Sequence, residues 1–247
     1  MNKKLLGALA LVLPFSASAD IIGLTAGAHT WNQSWSGDIQ ADQAGDTQVD
    51  LEDDLGYDDE RGNSFFVAFE HPIPVLPNIR IGRTELDISE TNTLNREIRF
   101  EGNTYNVATQ VDSEMDLSHT DATLYYEILD NVVSLDLGLT ARRFDGKAEI
   151  SGSGQTGSAD LEGTIPLLFV GARVALPLTG LYAAGEIHGL SAGGDSITDT
   201  KLSVGYEIGI VALELGYRSF DIDVEGDDDE EFNLTVDGAF LGFVVDI

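Results

Sequence analysis

The sequence predicts an all-β protein: a transmembrane, antiparallel, up-and-down barrel closed on itself. Three observations predict it. Stretch after stretch alternates apolar and polar residues with a period of two. Beyond the N-terminus, no segment approaches the roughly 18 consecutive apolar residues of a membrane helix. The connections are short on one side and long and acidic on the other, the rhythm of a barrel with two unlike rims.

The N-terminus comes first in chain order. Lys3 and Lys4 precede LLGALALVLPF, and Ala17-Ser18-Ala19 precedes Asp20. A basic region, a short apolar run and a small-residue cleavage site mark residues 1–19 as a signal peptide, removed on export. Loss of Lys3 and Lys4 takes the formal charge from −30 to −32. So acidic a chain repels phosphates, which excludes nucleic acid as a partner. It suits a surface that meets cations. Without cysteine there are neither disulfides nor thiolate metal sites. A barrel supplies the missing stability, because closure satisfies every backbone group in lipid.

Ten strands are expected, at 20–31, 63–72, 79–90, 119–129, 132–150, 160–176, 181–190, 197–209, 211–224 and 231–247. In VVSLDLGLTAR, Val133, Leu135, Leu137, Leu139 and Ala141 share one face, against Ser134, Asp136, Gly138, Thr140 and Arg142. DATLYYEI, KLSVGYEIG and VALELGYR divide in the same way. Eight strands is the alternative, because 20–31 and 79–90 alternate less cleanly; Arg83 and Glu85 interrupt the apolar face of the latter. An even count puts both termini on the short-turn side. Pro72, Pro74 and Pro77 make 71–78 a turn, since proline removes ladder donors. SGSGQTGSAD, residues 151–160, reads as a flexible loop by composition.

Together, the signal peptide, the ten-strand rhythm, DLEDDLGYDDE before the second strand and the ending VDGAFLGFVVDI resemble a small outer-membrane β-barrel of Gram-negative bacteria. The nearest likeness is to the proteobacterial barrel family found alongside GlyGly-terminus sorting proteins. The resemblance implies an integral outer-membrane location with periplasmic termini. It also implies lipid, lipopolysaccharide and the barrel assembly machinery as partners; it supplies location and fold but no substrate. Barrels of this kind end in Phe or Trp, whereas this chain ends in Ile247.

The inward phase of the strands predicts a lumen charge network of Glu70, Arg80, Glu127, Asp136, Arg142, Arg173, Glu186, Lys201, Glu207, Glu214 and Arg218, with His188 among them. Small barrels are filled by side chains, so near-balanced charges predict a paired plug ahead of a solute pore. The acidic connections carry Asp50, Glu52, Asp53, Asp54, Asp58, Asp59 and Glu60 in one cluster and Asp227, Asp228 and Asp229 in another. Flexible oxygen-rich loops suit Ca2+ or Mg2+, although the spacing is not that of a helix-loop-helix calcium site. A solvated charge run is the plainer reading. Phe65, Val67 and Phe69 follow the first cluster directly and are expected to enter lipid, with Trp31 and Trp35 as interfacial anchors.

Catalytic signals are weak. No histidine pair has metal-ligand spacing, and Gly189-Leu190-Ser191-Ala192-Gly193 lacks the helix that a nucleophile elbow needs. Ser118, His119 and Asp121 are the nearest candidate set, expected in or beside a loop. The leading expectation is therefore a structural or surface-interaction barrel, with a narrow cation-preferring porin second and a surface enzyme third.

Overall fold

A computed structural model describes residues 22–41, 43–225 and 231–247. The expected signal peptide and Asp227, Asp228 and Asp229 lie outside the described residues. In chain order the strands are β1 (Gly23–Gln40), β2 (Val49–Asp50), β3 (Asp59–Glu70), β4 (Asn78–Thr84), β5 (Asp87–Thr93), β6 (Ile98–Phe100), β7 (Asn103–Tyr105), β8 (Gln110–Asp116), β9 (His119–Leu129), β10 (Val133–Gly152), β11 (Gln155–Ala175), β12 (Leu181–Ala192), β13 (Asp195–Ile208), β14 (Val211–Glu225) and β15 (Glu231–Asp246). Ten of them close a ring of antiparallel neighbours: β1, β3, β4, β9, β10, β11, β12, β13, β14 and β15, which returns to β1. The eight-strand alternative falls, because the two less regular stretches, β1 and β4, are both in the wall.

Thr25 lies opposite Asp246, so the start of β1 and the end of β15 meet at one rim, here the terminal rim. The turns around Asn131, Leu178 and Gly209 share it. The opposite, far rim is much taller than a bilayer requires. There β5 and β8 continue the β4–β9 hairpin past a break at Glu85-Leu86, and β8 also pairs with β10. The β6–β7 hairpin forms its tip.

The side-chain phase explains why one chain builds two unlike halves. Along β10 the outward positions Leu135, Leu137 and Leu139 give way to Arg143, Asp145, Lys147 and Glu149. Over the same length the inward positions change from Asp136, Thr140 and Arg142 to Phe144, Ala148 and Ile150. The alternation never slips; its polarity inverts between Arg142 and Phe144. Strand β14 inverts likewise, from inward Glu214 and Arg218 to Phe220 and Ile222, while outward Leu213, Leu215 and Tyr217 become Ser219, Asp221 and Asp223. Below the inversion, exposed Leu, Ile, Val and Phe side chains form an outer belt, among them Phe65, Val67, Phe69, Leu139, Leu202 and Leu215. On β10 the belt runs about nine residues, from Val133 to Ala141, which is the length a tilted membrane strand needs. Above it, the wall encloses a conventional apolar core around Trp31, Trp35, Leu51, Leu55, Tyr105 and Phe220. Each fully buried large side chain there contributes roughly 1.5–3 kcal/mol relative to exposure.

Several expectations need correction. Residues 151–160 are no flexible loop: β10 and β11 run through them and turn on Ser153-Gly154 alone. Both have positive φ, 52° and 78°, as a two-residue hairpin with primed geometry requires. Composition misled because Gly and Ser also fit a strand that rises out of the membrane. The long connections 32–62 and 91–118 are about half strand, through β1, β2, β3, β5, β6, β7 and β8. His119 opens β9 and is buried, so it does not lie in a loop.

Trp31 and Trp35 are not lipid anchors. Both occupy inward phases of β1 and are 1% exposed in the far-half core. They are the chain's only two tryptophans, which makes them a clean probe. Brominated acyl chains are expected to leave the emission of the refolded protein essentially unquenched. Strong quenching would place the indoles in lipid instead.

Candidate functional site: an ion-paired lumen under an acidic cap

Inside the belt, the inward polar residues tie the barrel across its lumen. Arg80 on β4 makes a bidentate pair with Glu186 on β12, at 2.7 and 3.2 Å. Arg142 on β10 donates from Nε and Nη2 to Asp121 (2.8 and 2.7 Å), and its Nη2 also reaches Asp199 on β13 at 2.7 Å. Arg218 on β14 approaches Asp199 from the other side, at 2.8 and 2.6 Å, and donates to Thr84 at 3.2 Å. Glu214 accepts from Tyr182 and pairs with His29, each at 2.8 Å, with Lys201 at 3.6 Å. Thr140 bonds Thr123 and the ring of His188, at 2.8 and 2.9 Å. Planar guanidinium forks suit such two-sided bridging between carboxylates.

Aromatic rings pack on the guanidinium groups of this polar layer, Trp31 from the core above it and Phe66 from within the lumen. The Arg218 guanidinium lies 4.8 Å from the Trp31 ring and the Arg80 guanidinium 3.8 Å from the Phe66 ring. Phe66 therefore faces the lumen, unlike its neighbours Phe65 and Val67. The void left among Arg80, Arg142, Asp199, Lys201 and Arg218 is about 60 Å³, room for a few waters. Below it lies a vestibule of about 520 Å³, walled by Glu70, Glu127, Asp136, Arg173 and Glu207 and extending to the terminal rim. The lumen is thus wet at one end, ion-paired in its middle and filled with apolar side chains at the other.

All eleven expected lumen residues are in the wall, but they do not form one network. Arg173 and Glu207 pair with each other near the terminal rim, well exposed. Glu70 accepts from Tyr125 at 2.8 Å and Glu127 from Asn78 at 3.5 Å. The central pairs depend on three residues absent from the expected set: His29, Asp121 and Asp199. Asp121 opens the alternating stretch DATLYYEI in the same inward phase as Thr123, and extending the alternation of Lys201 two residues toward the N-terminus finds Asp199.

The acidic run 50–60 is a cap built on two leucines. Asp50 Oδ1 accepts from the backbone N–H groups of Glu52 and Asp53, at 3.0 and 2.7 Å, in the manner of a helix N-cap. One helical turn follows, with Leu55 N bonded to Asp50 O and Gly56 N to Glu52 O. Gly56 ends it at φ +75°. This spacing drops Leu51, Leu55 and Tyr57 into the core and leaves Glu52 and Asp53 in solvent. Burial pushes the Tyr57 phenol up to about 12. Asp54 is itself buried and takes a two-pronged contact from Arg96. Asp59 accepts from Asn32 at 3.3 Å. On the β5–β8 hairpin, Asp87 lies opposite Asp116; partial burial and then that neighbouring charge raise the Asp87 carboxyl above its ordinary range.

The described carboxylates of the first cluster, expected to hold Ca2+ or Mg2+, are therefore engaged in the cap or turned to solvent. Among the described residues, no three Asp, Glu or His side chains converge as ligands. Nor does the candidate catalytic set assemble. Ser118 Oγ accepts from Leu86 N at 3.0 Å, His119 Nδ1 faces Leu117 O at 2.9 Å, and Asp121 is held by Arg142. The His119 ring lies within the aromatic core beside Phe144 and Phe220.

Solved structures align with this fold to differing degrees. The outer membrane protease OmpT from Escherichia coli aligns with a TM-score of 0.55 at 10% identity, covering 93% of this chain and 98% of that one. The translocator domain of the autotransporter NalP from Neisseria meningitidis aligns at 0.46 and 13% identity, over 93% and 90%. Ail, the attachment invasion locus protein of Yersinia pestis, gives 0.31 at 12% identity, over 92% and 97%. No protein-family model matches the sequence, and no curated protein matches it. The likeness to OmpT supports the fold alone, an antiparallel transmembrane β-barrel.

Proposed function

We propose that this chain is an integral outer-membrane protein that works through the surface of its far half, with the terminal rim toward the periplasm and the lumen sealed. The observation that carries the reading is the polarity inversion. A pore needs a polar inward phase from rim to rim, but here the inward phase turns apolar above Arg142 and Arg218. The vestibule is then a blind mouth, and the acidic cap and the raised strands are what the protein offers outside. Outer-membrane lipid solvates the belt, and lipopolysaccharide borders it where Arg143 and Ser219 succeed the apolar positions.

The chain has no cysteine, so single introduced thiols report sidedness directly. On intact cells, a membrane-impermeant maleimide is expected to label Ser153→Cys at the far hairpin tip and to spare Asn131→Cys at the terminal rim. The reverse pattern, or labelling of neither until cells are broken, would overturn the reading.

A further inference from the structure

The far half of β11 has an unpaired edge. Its ladder with β12 runs from Ala175 to Leu168 and stops there. The next residue able to point its backbone toward β12 is Pro166, which has no N–H to donate. Beyond it, β11 continues to Gln155 with β10 as its partner on the other side. Antiparallel pairing around a two-residue turn turns the backbone of alternate residues away from β10. Those are Thr156, Ser158, Asp160, Glu162 and Thr164. The carbonyl of Thr156 is met by Asn103 Nδ2 at 3.3 Å. For Ser158, Asp160, Glu162 and Thr164 no backbone partner on this edge exists among the described residues.

The core is open behind the same edge. Leu161 and Ile165 hold inward phases yet are only partly buried, and inward Gly163 has open space before it. Across the gap, Leu190 holds an inward phase of β12 and is still 38% exposed. On the outer face, Asp160, Glu162 and Asp145 form an acidic row, with Asp145 and Glu162 directly opposed. Lys147, opposite Asp160, is engaged by Glu114 and Glu149 at 3.1 and 3.3 Å.

The geometry points to a docking site for an extended peptide strand that adds antiparallel to β11 over Ser158–Thr164, with lysine or arginine at outward positions and apolar side chains at inward ones. This names the partner chemistry for the surface role proposed above and rests on that role. Backbone hydrogen bonds supply the register, and alternate side chains supply the choice of partner. The cations answer the acidic row, and the apolar residues close the gap over Leu161, Ile165 and Leu190. A second copy of this chain is the wrong occupant. Antiparallel self-pairing would set Asp160 and Glu162 against their own kind, and like charges directly opposed destabilise a sheet.

The test uses the full mature chain refolded in detergent and a fluorescent octapeptide of alternating lysine and valine. In the paired register the lysine N–H groups face β11 and the valine N–H groups face away. Methylating the lysine backbone amides is expected to weaken binding at least tenfold while leaving every charge in place. Methylating the valine amides is expected to spare it. Asp160→Lys combined with Glu162→Lys, both on the outward face, is expected to weaken the parent peptide at least tenfold in a barrel that remains heat-modifiable. Amide exchange should slow at Ser158, Asp160, Glu162 and Thr164. Equal binding of both methylated peptides would reduce the effect to bulk charge attraction and overturn the proposal. So would absence of binding, or cross-linking of two copies through this edge. Sidedness and conductance are read separately, so failure here leaves the sealed-barrel reading standing.

Discussion

Arg142→Ala is expected to destabilise the folded barrel by about 3–5 kcal/mol, the cost of stripping one partner from buried ion pairs. Arg142 is 0% exposed and holds both Asp121 and Asp199. Its loss leaves Asp121 without a cation and Asp199 with Arg218 alone. The measurement is equilibrium unfolding in urea of the detergent-refolded protein. Arg173→Ala is the internal comparison. Its pair with Glu207 is more than a third exposed on both sides, and exposed pairs contribute about 0–1 kcal/mol. If Arg142→Ala and Arg173→Ala cost the same, the central layer does not hold the barrel as described.

Trp35→Ala is expected to cost a similar amount, about 3–5 kcal/mol for a large aromatic removed from a packed core, but in a different place. Trp35 packs edge-on against Tyr57, with ring centroids 6.3 Å apart, in the core that the acidic cap closes. The loss should therefore loosen the cap before the belt. Limited proteolysis is expected to cleave between Gln43 and Tyr57 in the variant and not in the parent. The membrane half should keep its heat-modifiable migration. Uncleaved cap, or collapse of the whole barrel, would show that the two halves are not separable in this way.

Much of the fold was legible because period-two alternation survives translation, twist and tilt. Leu137 and Asp136 announce a membrane strand whatever lies beside it. What misled was the assumption that outward apolar and inward polar hold along a whole strand. Trp31 and Trp35 stand in the same phase as His29, and only the inversion of polarity above the belt turns them from anchors into core. Composition, not phase, ended the strands early at Ile150 and Asp160, because the Gly- and Ser-rich run between them reads as a loop. The ionic layer was half legible. Arg142 and Arg218 lie in clear alternations, whereas Asp199 lies two residues before the stretch whose pattern is obvious. Cross-lumen pairing, such as Arg80 with Glu186, joins strands far apart in the ring, and no local pattern reveals it. The acidic run showed its charge and hid its purpose: Leu51 and Leu55, four apart on one turn, are what fix it to the barrel.

The most direct test is conductance of the refolded mature chain in a planar bilayer. A lumen crossed by Arg80–Glu186 and Arg142–Asp199–Arg218 and roofed by Trp31 and Phe220 should pass no ions, so the expected record is silent while the same sample remains a heat-modifiable barrel. Discrete, cation-selective steps from the parent protein would contradict the account, because they require a continuous wet path through the layer that the structure fills.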